Sequence, residues 1–230
     1  MGTGYNPRIV TDGLVLCLDA ANVRSYPGTG TTWTDLKGGN NGTLANMDAS
    51  NFDSASGGGL LFDGTDEYVH GGDTSGSITN SCSTSIWFKA TGVPSNNDTA
   101  GGTLFAQSNS FNHGIFISMS WINSNIIFGT FINNSITSNT NSVSQNDYHY
   151  ITAQQDGTVQ QIFLNGELIA SRSYTSAPYA VNPAYQIGRW GMGSYQRYFN
   201  GYIYNLSLYN RALTAEEVRQ NYLATKERYA

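Results

Sequence analysis

Residues 148–171 read Tyr148-His-Tyr-Ile-Thr-Ala-Gln-Gln-Asp-Gly-Thr-Val-Gln-Gln-Ile-Phe-Leu-Asn-Gly-Glu-Leu-Ile-Ala-Ser. Asn165-Gly166 separates two apolar runs. A type I′ turn needs positive φ at both central places, and these two residue types tolerate it, so the flanking runs are predicted to pair as a hairpin. Asp156-Gly157 makes a second such turn upstream. Together the turns join three strands into a meander with very short links. A further strand is predicted at 199–209. Thr214 then opens the one convincing helix, about 215–228: Glu217 three residues on completes a capping box, and Leu213 and Val218 can form a hydrophobic staple. Val218, Tyr222, Thr225 and Tyr229 share one helix face, with Leu223 beside them, and that stripe is expected to pack on the edge of a sandwich.

Outward from this region, strands are predicted at about 14–19, 83–90, 102–107, 113–120, 125–132 and 184–188. Gly59-Leu-Leu-Phe-Asp-Gly-Thr-Asp-Glu-Tyr-Val-His reads as a further hairpin. Short pieces at Trp33-Thr-Asp-Leu and Gly42-Thr-Leu interrupt a long loop, and 93–101 and 133–147 read as loops. The 230 residues include 26 Gly, 15 Tyr and 10 Phe but only 12% charged residues, a composition that suits strands with neutral polar outer faces. The fold class is all-β, a two-sheet antiparallel sandwich with one C-terminal helix. No linker or repeat is visible. Residues 1–12 read as an N-terminal arm and 13–230 as one domain. In the arm, Tyr5, Ile9 and Val10 can either anchor on another subunit or join the domain's own edge.

The net charge of −5 and scattered Lys and Arg exclude the basic footprint of a nucleic-acid binder. No apolar run reaches the length of a membrane span, so no membrane insertion is expected. The N-terminus lacks a basic segment followed by an apolar one, so no secretory signal is expected. Cys17 and Cys82 each fall in a strand candidate and read as two buried thiols, with a bridge between them left open.

Five segments, Gly13-Leu-Val-Leu-Cys-Leu-Asp-Ala-Ala-Asn, Trp33-Thr-Asp-Leu, Asn41-Gly-Thr-Leu, Leu61-Phe-Asp-Gly-Thr-Asp-Glu-Tyr-Val and Ser85-Ile-Trp-Phe-Lys, together with 148–173 and 184–222, resemble successive parts of the laminin-G-like, concanavalin A-like lectin/glucanase jelly rolls. Leu18-Asp-Ala-Ala-Asn, Phe62-Asp-Gly-Thr-Asp and Tyr209-Asn-Arg-Ala-Leu-Thr-Ala-Glu-Glu look most like the versions carried by structural proteins of tailed, especially marine, bacteriophages. The resemblance implies a jelly roll on a virion surface, as a head decoration or beside a fibre.

Retaining glycosidases of that fold carry an acid and a nucleophile on one strand face, in a Glu-x-Asp-x-Glu arrangement. None of the five glutamates, Glu67, Glu167, Glu216, Glu217 and Glu227, lies in such a strand motif. His70, His113 and His149 are far apart in the chain. No enzyme is expected. Relatives often hold a structural calcium through acids in the final strand, but here Tyr204 and Asn205 stand in that phrase. Asp63 and Asp66 are the best surviving acidic pair, and turn stabilisation accounts for them. No cofactor or metal is expected.

A glycan site needs an aromatic plate with amide or guanidinium groups beside it. Residues 188–197 offer Arg189, Trp190, Tyr195 and Arg197 on a glycine-rich loop; Asn112, His113 and Trp121 bracket another strand. Trp87 and Trp33 read as core and structural residues. The expected function is therefore a non-enzymatic virion surface protein, assembled in the host cytoplasm, whose lectin-like domain adheres to glycans. Its partners would be other virion proteins, with further copies of itself among them. The competing reading is a free-standing carbohydrate-binding module or cellular adhesin, with a glycan hydrolase behind both.

Overall fold

The computed structural model describes residues 7–74, 81–92, 102–110, 113–120, 124–129, 135–139, 142–174, 184–192 and 195–229. Strands are numbered in chain order. The first sheet runs β14 (Glu167–Ser173), β13 (Val159–Leu164), β12 (His149–Asp156), β7 (Ser81–Ala90), β18 (Asn200–Tyr209), β5 (Gly59–Asp63) and β4 (Phe52–Asp53). β1 (Leu14–Asp19) also pairs with β18, beyond β5: the Asn200–Ile203 half of β18 meets β5, and its Asn205–Tyr209 half meets β1. The second sheet runs β11 (Ser135–Thr137), β10 (Asn125–Gly129), β9 (His113–Ser120), β8 (Gly102–Ser110), β15 (Ala184–Ile187), β6 (Tyr68–Asp73), β3 (Gly42–Ala45) and β2 (Thr32–Trp33). All pairings are antiparallel. A separate ribbon joins β16 (Arg189–Met192) to β17 (Tyr195–Tyr198).

The meander β12–β13–β14 is as the turns predict. Asn165 (φ 51°) and Gly166 (φ 85°) fill the two-residue link between Leu164 and Glu167. The upstream link is one residue later than the sequence suggests: Asp156 pairs with Val159, leaving Gly157 (φ 55°) and Thr158 as the central residues. Positive φ at the first central place alone is the requirement of a type II′ turn.

Strand alternation builds the core. Ile86, Phe88, Ile151, Leu206, Leu208, Leu60 and Phe62 face inward from the first sheet; Ile117, Met119, Phe105, Ile126, Tyr185, Ile187 and Val69 face them from the second. Trp33 is fully buried among them. Both cysteines are free and buried. Burial pushes the Cys17 thiol up to about 11 and that of Cys82 up to about 12.

Four expectations need correction. Residues 59–70 are not a hairpin: β5 belongs to the first sheet and β6 to the second. The Asp63–Glu67 link carries the chain across the sandwich, so Leu60, Phe62 and Val69 reach the core from opposite sides. Second, 135–137 is the edge strand β11 rather than part of a loop. Third, residues 189–192 and 195–198 pair as a ribbon rather than lying in a loop. Fourth, the helix lies on the outer face of the first sheet and not on an edge.

Helix α1 (Ala215–Thr225) has the predicted capping box. Glu217 N donates to Thr214 Oγ1 (3.2 Å), and Thr214 N donates to Glu217 Oε2 (2.9 Å). Leu213 and Val218 are buried with Phe163, Tyr209 and Val10. Trp87 is buried here as well, in an outer aromatic cluster with Tyr150, Tyr204 and Tyr229 rather than in the core between the sheets. The segment from Pro7 to Asp12 is fastened to the domain's own helix. Val10 N donates to Asn221 Oδ1 (2.7 Å), Gln220 Nε2 donates to the Arg8 carbonyl (2.7 Å), and Arg211 pairs with Asp12 (2.8 Å).

Candidate functional site

The outer face of the second sheet carries a transverse row set by strand register. Thr43 on β3 pairs with His70 on β6, His70 with Gln186 on β15, Gln186 with Ala106 on β8, and Ala106 with Phe116 on β9. Val69, between Tyr68 and His70, turns into the core, so period-two alternation sends Tyr68 and His70 outward.

The β16–β17 ribbon folds over one end of this row. Gly188 (φ 76°) turns the chain out of β15, and a Cβ there would lie 2.3 Å from the Phe62 ring, so only glycine fits. Trp190 then stacks on Phe116, with centroids 5.0 Å apart and planes at 9°. Its ring is only 7% exposed, and the Arg197 guanidinium lies 5.1 Å from its centroid. Trp190 thus anchors the ribbon through packing.

Arg189 takes a different course. Its guanidinium carbon sits 3.6 Å from the centroid of the Tyr68 ring. Nε donates to Gln186 Oε1 (3.2 Å), and the same oxygen accepts the Gly191 N–H (3.0 Å). The Arg189 side chain passes over Gly191, where a Cβ would come within 2.8 Å of Nε. Tyr68, His70, Gln186 and Arg189 therefore form one surface cluster, with the rings of Tyr68 and His70 5.8 Å apart. Such a cluster offers an aromatic ring, amide and imidazole hydrogen-bonding groups and an oriented cation.

Of the residues singled out from sequence, the ribbon brings Trp190 and Arg197 together, while Arg189 turns to Tyr68 and Gln186. Tyr195 pairs with Met192, and its side chain lies outside the described residues. So does the side chain of His113, which starts β9, while Asn112 and Trp121 lie wholly outside them. Tyr68, His70 and Gln186 were missed. The alternation Tyr68-Val69-His70 carried the signal, but reading it as one arm of a hairpin hid which sheet it served.

Asp63 and Asp66 do approach each other, and Glu67 joins them: one oxygen from each lies within 4.8 Å of the others. Thr65 N donates to Asp63 Oδ1 (2.7 Å), the expected Asx-type turn, and Asp63 N donates to Glu67 Oε2 (3.1 Å). Burial, and then the hydrogen bond to Asp63, push the Glu67 carboxyl up to about 7. That hydrogen bond holds Asp63 below its usual range. Glu67 is therefore the acid of the pair that takes up a proton first as pH falls.

The outer face of the first sheet is closed differently. Tyr204 packs against Tyr148, Tyr202 and Tyr229, and Asn205 Nδ2 donates to the Tyr229 hydroxyl (3.3 Å). A cavity of about 360 Å³ remains beneath α1, lined by Pro7, Cys17, Ser207, Asn221 and Arg228 among others. Its polar groups largely hold each other: Arg228 pairs with Asp19 (2.7 Å), and Asn221 bridges Val10 and Tyr209. The seam there joins the helix and the N-terminal segment to the sheet.

Solved structures with this fold include domain 4 of AbnA, a GH43 extracellular arabinanase from Geobacillus stearothermophilus, in complex with arabinotriose. Identity to it is 18% and the TM-score 0.68, over 92% of this chain and 98% of that one. The Trypanosoma rangeli sialidase in complex with the inhibitor DANA is 14% identical with a TM-score of 0.69; the match covers 99% of this chain but only 36% of the sialidase. The botulinum neurotoxin type G receptor-binding domain is 16% identical with a TM-score of 0.65, over 92% of this chain and 51% of that one. At these identities the likeness is one of fold. No curated protein matches by sequence. Residues 63–219, more than half of the chain, match the Laminin_G_3 family, and the chain belongs to this family of the concanavalin A-like lectin/glucanases superfamily.

Proposed function

We propose that this chain is a non-catalytic carbohydrate-binding domain that binds glycans on the outer face of its second sheet and serves as the adhesive part of a virion surface protein. The observation that carries the reading is the Tyr68–Arg189–Gln186 cluster. Its groups are the kinds that stack on a sugar ring and bond to hydroxyls, and a packed ribbon holds them in place. The AbnA domain bound to arabinotriose corresponds to this chain over nearly its whole length, which supports binding without an attached catalytic unit. The Asp63–Glu67 pair lies in the crossover between sheets, bonded to itself, which supports a structural role for those acids. The virion setting rests on the phage-like segments at 18–22, 62–66 and 209–217. The same correspondence with a domain of an extracellular arabinanase favours, as a second reading, a binding module of a cellular protein.

Electrophoresis through gels containing arabinan, xylan, polygalacturonate or dextran sulfate tests binding. At least one polysaccharide should retard the chain, and none should yield new reducing ends. Release of reducing ends that depends on a named Asp or Glu, or migration unaffected by every polysaccharide, overturns the proposal. Mass spectrometry of purified particles tests the setting: the virion reading requires the chain to be present in them.

A further inference from the structure

Arg189 is set up to do more than pack. The Tyr68 ring lies against its guanidinium, Gln186 takes its Nε–H, and Gly191 leaves room beneath its stem. These contacts leave both terminal amino groups without an intramolecular partner among the described residues, and no described carboxylate lies within ion-pair distance.

A guanidinium whose Nε edge is occupied and whose face rests on a ring presents its two terminal amino groups as a ready fork. Paired oxygens of one anionic group fit such a fork bidentately, and little rotamer freedom remains to be lost when they bind. We infer that the glycan taken by this face is acidic, with a carboxylate or sulfate group seated on Arg189. This deepens the glycan-binding reading and rests on it. Tyr68 sets the plane of the fork, Gln186 its rotation, and Gly191 its depth.

The test is isothermal titration of the whole chain with two matched pairs. One pair is trigalacturonate and its methyl ester, which differ in carboxylate charge; the other is dextran sulfate and dextran, which differ in sulfate. Binding of one acidic member, at least tenfold tighter than its neutral counterpart, is expected, and which pair responds identifies the anion. Arg189→Gln should lower that affinity at least tenfold. Gly191→Ala supplies a second variant that keeps every charge: the atoms nearest its Cβ all belong to the flexible end of Arg189, so the fold should melt as the parent does while affinity falls several-fold. Equal binding of acidic and neutral members, or undiminished binding by either variant, overturns the inference and leaves glycan binding standing. Failure of all four probes, together with unretarded migration in every gel, sinks both.

Discussion

The indole nitrogen of Trp87, on β7, donates to Thr225 Oγ1 in the last turn of α1 at 2.7 Å. This bond links the centre of the first sheet to the end of the helix. The Trp87 ring also stacks with Tyr222 (5.7 Å) and packs on Tyr229 (4.5 Å), so the polar bond sits inside an aromatic joint. Thr225→Val keeps the shape but removes the acceptor, leaving a buried N–H unpaired. A loss of about 1–3 kcal/mol in urea unfolding is expected. No measurable loss would mean that water replaces the hydroxyl.

Asn221 is the second fastening. It is 1% exposed; its Oδ1 accepts from Val10 N and its Nδ2 donates to the Tyr209 hydroxyl (3.1 Å), which donates in turn to the Val10 carbonyl (3.1 Å). Asn221→Ala orphans a buried donor on one side and an acceptor on the other, and should cost about 2–4 kcal/mol. Protease digestion should then cut first within residues 7–12. Parent-like stability would show that this segment is held elsewhere.

Neither joint was legible in the sequence, whereas the turn and the helix cap were. Asn165-Gly166 and Thr214 with Glu217 announce themselves within a few residues, because turn and cap chemistry is local. The helix was legible for that reason, but its seat was not: Trp87 and Asn221 meet partners far away in the chain. The Asp63–Glu67 turn has the same local chemistry whether the chain doubles back or crosses the sandwich. Only the long-range destinations of Leu60, Phe62 and Val69 decide between them. The site was half legible. Arg189 stands out as a cation on a glycine-rich loop, but Tyr68 and Gln186 reach it through sheet register, and Trp190 gives no sign in sequence that Phe116 lies beneath it.

The Asp63–Glu67 pair makes a pH prediction. Glu67 ionises near 7 in the fold, against a usual value of 4.5. Its protonated form is therefore favoured by folding, and its contribution, complete below about 4.5, is lost as pH rises through about 7. With solvent screening, the loss between pH 5 and 8 is about 1 kcal/mol, or roughly 2–4 °C in Tm. Glu67→Gln imitates the protonated acid and should remove that slope. A parent and a variant whose Tm values track each other from pH 5 to 8 would contradict the raised Glu67 carboxyl.

The same acids bear on metal. Glu67 and Asp63 bond to each other, and the phrase where relatives carry calcium acids holds Tyr204 and Asn205, both engaged in the outer cluster. EDTA should leave Tm unchanged. A fall of several degrees, restored by calcium, would assign Asp63, Asp66 and Glu67 to a cation, since a ligand at a hundredfold excess over Kd stabilises by about 2.7 kcal/mol.

The central claim is that glycans meet the outer face of the second sheet. The most direct measurement is the amide NMR spectrum of the chain with arabinotriose, trigalacturonate and a dextran sulfate oligomer added in turn. The account predicts that at least one of them shifts the amides of Thr43, Tyr68, His70, Gln186, Arg189 and Gly191 while those of α1 stay in place. Shifts confined to α1 and β1, around the cavity under the helix, or no shifts with any of the three, would contradict it.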